Sequence, residues 1–189
     1  MTSSKSSEGL IRLAALAAIA GGALWSVKVI VDGLAPPWAG AATDAFFFVA
    51  PLLMLAGFAG FHARYSARIT GMGRMGFVNA FIGLVLLVVG FASGLSFGAQ
   101  EALRISSFGF LILAFGLVLL GLEVLKVDAL PRWSFLPLAI GLLVPLSVVS
   151  GDNELLRVPL SALFGLGWVL LGSVLLADAK NPEEVLETR

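Results

Sequence analysis

Cysteine is absent from the 189 residues, and histidine occurs once, at His62. The first absence removes disulfides, thiol catalysis and thiolate metal sites, and leaves the redox compartment undetermined. The second removes haem ligation by paired histidines, and scattered carboxylates alone do not supply a metal cluster. Charge is also scarce. Asp, Glu, Lys and Arg make up 13% of the chain, against roughly 25% in soluble domains. With 12 basic and 12 acidic residues the formal net charge is zero, so nothing in the global charge calls for a nucleic acid or another polyanion. No cofactor is expected.

Apolar residues fill the space that charge leaves. They account for 59% of the chain, and the mean hydropathy is +1.00. Six stretches are long and apolar enough for a bilayer: Leu10–Val31, Ala45–His62, Met75–Phe97, Ser107–Leu125, Trp133–Val149 and Pro159–Ala177. A helix needs roughly 17 to 25 such residues to cross the hydrocarbon. The expected fold is all-α: a polytopic membrane protein, one domain over residues 1–189, built as a bundle of six transmembrane helices. No connection between stretches exceeds about 15 residues, so no separate soluble domain is expected there. The first stretch runs on to Val31 without a clean small-residue cleavage site, and is expected to be a retained span. No Asn-x-Ser/Thr acceptor and no lipidation motif occurs.

The basic residues set an expected orientation. With a cytoplasmic N-terminus, Lys5, Arg12, Arg64, Arg68, Arg74, Lys126, Arg132, Lys180 and Arg189 fall inside. Lys28, Arg104 and Arg157 fall outside, giving nine against three of the 12. Short loops rich in Lys and Arg stay in the cytoplasm. The chain is therefore expected in a cell membrane (plasma or bacterial inner membrane), with both termini cytoplasmic. Arg64, Arg68 and Arg74 form the densest basic run. They serve as topology determinants, and are also candidates for contact with anionic lipid headgroups.

A repeat is written into the spacing. Arg12, Arg74 and Arg132 are each followed nine positions later by glycine, at Gly21, Gly83 and Gly141. At an offset of 58, Phe77, Ile82 and Leu84 align with Phe135, Ile140 and Leu142, and Leu53, Leu55 and Ala56 with Leu111, Leu113 and Ala114. Gly116–Gly121 and Gly167–Gly172 share Gly-x-Val-Leu-Leu-Gly. Two readings stand: three parallel copies of a two-helix hairpin, or coincidence in a chain of few residue types. The first predicts Gly21, Gly83 and Gly141 at one depth.

Lipid tails are as apolar as leucine, so helices associate through close approach at small residues. Ala14, Ala18, Gly22 and Ser26 make a smooth stripe on the first helix, with Ala56-x-x-x-Gly60 and Gly90-x-x-x-Gly94 on the second and third. These faces are expected inside the bundle, or at a homo-oligomer contact. Pro51, Pro137 and Pro145 fall within the stretches, where each removes a backbone donor and kinks a helix. Two of them mark the fifth helix as a hinge candidate. Of the four tryptophans, Trp38 and Trp133 sit where interfacial belts belong.

Polar groups in the spans are the candidate sites. Lys28 lies 16 residues beyond Arg12, roughly 24 Å along a helix, and Asp32 follows it at i+4. An interfacial ion pair with a snorkelling lysine is expected, a solute-binding lysine being the alternative. Glu123 and Lys126 are expected to pair similarly. Asn79 is expected to hydrogen-bond across to a neighbouring helix, or to line a polar path. The outer loops Gly33–Asp44, Gly98–Ser106 and Ser150–Val158 contribute Asp44, Gln100, Glu101, Arg104, Asp152, Asn153, Glu154 and Arg157. Of these, Glu101, Arg104, Asp152 and Glu154 join Lys28, Asp32 and Asn79 as residues facing a ligand or partner. Gly94–Gly98 fits G-x-S-x-G, but that chemistry needs a strand-to-helix turn and a nearby base. Ser96 and His62 belong to opposite ends of their helices. No carboxylate lies mid-span, which disfavours a proton- or sodium-coupled pump.

The basic start, the six spans, Gly-Gly-x-Leu-Trp at Gly21–Trp25 and the acidic tail resemble small uncharacterised six-span membrane proteins of bacteria. The resemblance covers the whole chain, is compositional, and implies no activity. The expected role is non-catalytic, with the bundle in the lipid bilayer engaging lipid or a membrane protein partner. The alternative is a small-solute transporter or channel, or its substrate-binding subunit; an enzyme is not expected. A cavity open to one face and lined by polar groups would favour the alternative, and a dry, filled bundle the first.

Overall fold

Each of the six apolar stretches contains a helix, but the helices do not end where the apolar residues do. A computed structural model describes the backbone of residues 3–34, 40–97, 99–127, 133–150 and 153–179, and the same side chains except those of 3–7, 34, 40–47, 94–97, 99–103 and 148. The helices are α1 (Ser3–Leu34), α2 (Gly40–Tyr65), α3 (Gly71–Phe97), α4 (Ala99–Val127), α5 (Leu136–Val149) and α6 (Glu154–Asp178), and no strand occurs among the described residues. Five carry segments long and apolar enough to cross a membrane: Glu8–Gly33, Phe48–Tyr65, Gly71–Ser93, Arg104–Val127 and Glu154–Asp178.

The fifth stretch, Trp133–Val149, departs from expectation. Helix forms over only the 14 residues of α5, about 21 Å at 1.5 Å per residue against a hydrocarbon core of about 30 Å. Pro137 explains the late start. It sits in the first turn, where a missing N–H costs little and the fixed φ suits a helix start. Residues 133–135 form a turn instead, closed by Leu136 N–H donating to Trp133 O at 2.9 Å. Pro137 is thus part of a helix start and not a mid-span kink; Pro51, Pro145 and Pro159 are the prolines inside helices.

Two expected loops are also largely helix. Ala99–Ser106 opens α4, because Ala, Gln, Glu, Leu and Arg are strong helix formers and no proline interrupts them. Likewise α6 begins at Glu154, one turn and more before Pro159.

Each helix packs on the next in chain order, and α6 closes onto α1. Small residues decide how closely. On α3 and α4 one antiparallel register repeats every seven residues. A Cβ on Gly76 would stand 2.4 Å from Leu120 N, one on Gly83 2.4 Å from Leu113 N, and one on Gly90 2.8 Å from Ser106 N. The α1 stripe serves two neighbours. Ala14 and Ala18 fill the notches at Gly60 and Gly57 of α2, while Gly22 abuts Gly165 of α6. The Ser26 hydroxyl sits 2.9 Å from Ala162 O of α6, and also 3.0 Å from Gly22 O in its own helix. Four residues advance about 400° around a helix of 3.6 residues per turn, so the stripe drifts from α2 to α6. On α2 the partner of Gly60 is Gly57; Ala56 is exposed.

Fully buried Trp168, Phe58, Met54, Leu84, Leu117 and Ile140 fill the middle, with Phe58 stacked on Phe77 at 4.7 Å and edge-on to Trp168 at 5.9 Å. Large apolar side chains such as Leu13, Leu16, Val78, Leu111, Phe115 and Leu163 point outward, as helices in lipid require.

The start of α1 and the end of α6 lie at one end of the bundle, here the terminal end, where α6 is fastened. The Tyr65 hydroxyl donates to the Asp178 carboxylate, Arg64 Nη2 to Asp178 O at 3.2 Å, and Arg12 Nη2 to Ala179 O at 3.5 Å. Guanidinium groups there oppose the negative end of the helix dipole. Tyr65 is buried, and a hydrogen bond to a charged group is worth about 1.5–3 kcal/mol. Tyr65→Phe should lower stability by that order, and Arg12→Gln by well under 1 kcal/mol, as read by thermal unfolding in detergent.

Candidate functional site

At the end opposite the termini, the helices part around a cavity of about 540 Å³. The sequence dictates its walls by spacing. On α1, Trp25, Val29, Asp32 and Gly33 recur at three- and four-residue intervals and share one face; on α6, Glu154, Arg157, Val158, Ser161 and Phe164 do the same. Ser106, Ser107 and Phe110 of α4, Val144 and Ser147 of α5, and Phe91 of α3 complete the lining. Small-molecule sites typically occupy about 300–1,000 Å³ with apolar walls and a few placed polar groups.

The apolar part is aromatic. Trp25 meets Phe110 edge-on at 5.6 Å, Phe164 edge-on at 5.8 Å and Phe91 at 6.2 Å, while Phe110 and Phe164 meet at 6.3 Å. Edge-to-face contacts of this kind hold rings in fixed mutual orientation.

The polar part is one strong ion pair, one loose pair and four serines. Lys28 Nζ lies 2.5 Å from both Asp32 carboxylate oxygens. The lysine side chain is 2% exposed and the aspartate 36%. The expected i, i+4 pair is therefore present, but the lysine does not snorkel to water: the bundle covers it, and the carboxylate faces the opening. Arg157 and Glu154 stand 3.7 Å apart, both exposed. The Ser147 hydroxyl donates to Val144 O at 2.7 Å, and so offers the cavity only its lone pairs.

Asp32 and Glu154 are thus brought together at the cavity, with Lys28 behind Asp32. The other candidates are not. Asn79 donates to Met75 O at 2.8 Å in its own helix, so the cross-helix bond expected of it is replaced by a local one; its half-buried position puts that carbonyl within nearest reach. Arg104 is exposed on α4 outside the lining. Glu101 lies on the α4 backbone with its side chain outside the described residues, as are the side chains of Asp44 and Gln100 and all of Asp152. Arg64 is engaged by the α6 terminus, whereas Arg68 is half-buried and Arg74 exposed at the terminal end. Glu123 meets the Thr70 hydroxyl at 3.5 Å instead of Lys126, because it turns toward Gly73 while Lys126 is exposed. Ser96 belongs to the last turn of α3, not to a strand-to-helix turn.

Sequence reading passed over the aromatic wall and the serines. Their signal was present: Trp25, Val29 and Gly33 at four-residue steps, and Ser161 and Phe164 on the turns after Glu154 and Arg157. Which helices bring these faces together is not encoded locally. Comparison of the chain with protein-family models, with curated proteins and with solved structures finds no match.

Proposed function

We propose that this chain is a non-catalytic integral membrane protein that takes a small amphipathic solute into the cavity opposite its termini, as a transporter or its substrate-binding subunit would. The observation that carries this is the lining itself: four aromatic rings together with Asp32, Glu154, Arg157 and four serines around about 540 Å³. Between the two roles expected from the sequence, an open polar-lined cavity supports solute handling over engagement of lipid or a partner through a filled bundle.

In this reading α5 is the sixth membrane-embedded helix, its short length completed by the turn at 133–135. The hairpin repeat enters it in part. Gly116 packs on α3 and Gly121 on α5, and correspondingly Gly167 packs on α5 and Gly172 on α1. Gly21 and Gly83 pack on the returning helix of their own hairpin, whereas Gly141 packs on α4. On the repeat reading, the third unit packs differently from the other two.

The absence of native cysteine makes single-cysteine labelling clean. In intact cells, a membrane-impermeant maleimide should modify Glu154→Cys and spare Ser66→Cys if the termini are cytoplasmic. Ser161→Cys, in the cavity wall, should react in purified protein several-fold more slowly than Glu154→Cys, and more slowly again with a bound solute. A Ser161→Cys that never reacts would remove the open cavity on which this function rests.

A further inference from the structure

We infer that the solute carries a primary or secondary ammonium group on an apolar body, with Asp32 as its counter-ion; this rests on the solute-binding reading above. The Lys28–Asp32 pair is a dipole with a direction. Its ammonium end is 2% exposed and its carboxylate end 36% exposed, and of the two residues it is Asp32 that lines the cavity. An entering molecule therefore meets the negative end.

One lining serine has the same polarity. Ser147 has spent its hydrogen on Val144 O, and what it turns to a ligand is an acceptor for N–H. Aromatic rings attract cations through their quadrupole, and Trp25, Phe91, Phe110 and Phe164 are among the lining residues, with Trp25 and Phe164 largely buried. For an anion the described lining holds one cationic group, Arg157, which is 53% exposed and loosely paired with Glu154 at 3.7 Å. Water screens such a rim charge. The apolar body is assigned to the aromatic lining, and the ammonium head to Asp32.

The test uses the full-length chain in lipid nanodiscs, with three probes of similar size followed by calorimetry at neutral pH: phenethylammonium, phenethyl alcohol and 3-phenylpropionate. The cation should bind at least about tenfold more tightly than the alcohol, and the carboxylate more weakly than either. Exchanging Lys28→Met and Asp32→Asn together removes the pair as a unit, and should erase the cation's advantage over the alcohol. Equal or tighter binding of 3-phenylpropionate, or a cation advantage that survives the double exchange, would overturn the inference. The order of the three probes on the unmodified chain decides it even where the double variant does not insert. If the alcohol binds without a cation advantage, the cavity reading stands and only the charge assignment falls. If no probe binds and Ser161→Cys is unreactive, both readings fall.

Discussion

A chain carrying Gly83→Val is expected to lose its fold, with little monodisperse protein recovered from membranes and a large drop in melting temperature for what remains. The added Cβ would stand 2.4 Å from Leu113 N and 2.6 Å from Leu113 Cα. These are backbone atoms of the facing helix, and no rotamer change moves them. The clash is relieved only by separating α3 from α4, which also opens the contacts at Gly76–Leu120 and Gly90–Ser106. Overpacking commonly costs about 1–3 kcal/mol, and more where backbone must shift, so ~3 kcal/mol or greater is expected here. Gly9→Ala is the matched control, since a Cβ there meets nothing within 4 Å. Fluorescence-detected size exclusion and thermal melting would check both. A Gly83→Val protein melting within a degree or two of the parent would show that α3 and α4 are not packed in this register.

The second large effect is an asymmetry between the partners of one ion pair. Asp32→Ala takes the carboxylate from an ammonium that is 2% exposed, whereas Lys28→Met leaves a carboxylate that is 36% exposed and in reach of water. Breaking a buried pair from the side that leaves the buried charge costs about 3–5 kcal/mol. Asp32→Ala is therefore expected to destabilise more than Lys28→Met, whose cost should be about 1 kcal/mol or less. Adding Lys28→Met to Asp32→Ala should recover part of the loss, because no charge then remains to be buried. Unfolding of the three variants in mixed micelles measures this order directly. A Lys28→Met loss larger than that of Asp32→Ala would mean that the ammonium reaches water and the aspartate does not.

Much of the helical architecture was legible in the residues because the bilayer imposes a length and a composition that few sequences satisfy by accident. The Lys28–Asp32 pair was legible for a similar reason: i, i+4 neighbours share a helix face whatever the fold. Helix ends were less so. Hydropathy reports which residues tolerate lipid, whereas the ends of α4 and α6 follow helix propensity and proline placement, and these continued both helices into segments that look like loops. The shortness of α5 followed from Pro137, whose effect depends on whether it opens a helix or interrupts one. For Asn79, a single polar residue in a span has an acceptor one turn back as well as across the interface, and sequence cannot choose between them.

By itself the sequence determined the solvent, the helical class and the small-residue stripe of α1, since each depends on composition or on spacing within a single helix. Tertiary structure alone decided that α6 closes on α1, that Lys28 is covered while Asp32 is open, and that aromatic rings and serines from five helices face one cavity. Those facts depend on which distant faces come within a few ångströms of one another. Between helices already in lipid that choice turns on the fit of glycine notches to backbone, because an apolar side chain gains little by leaving lipid for protein.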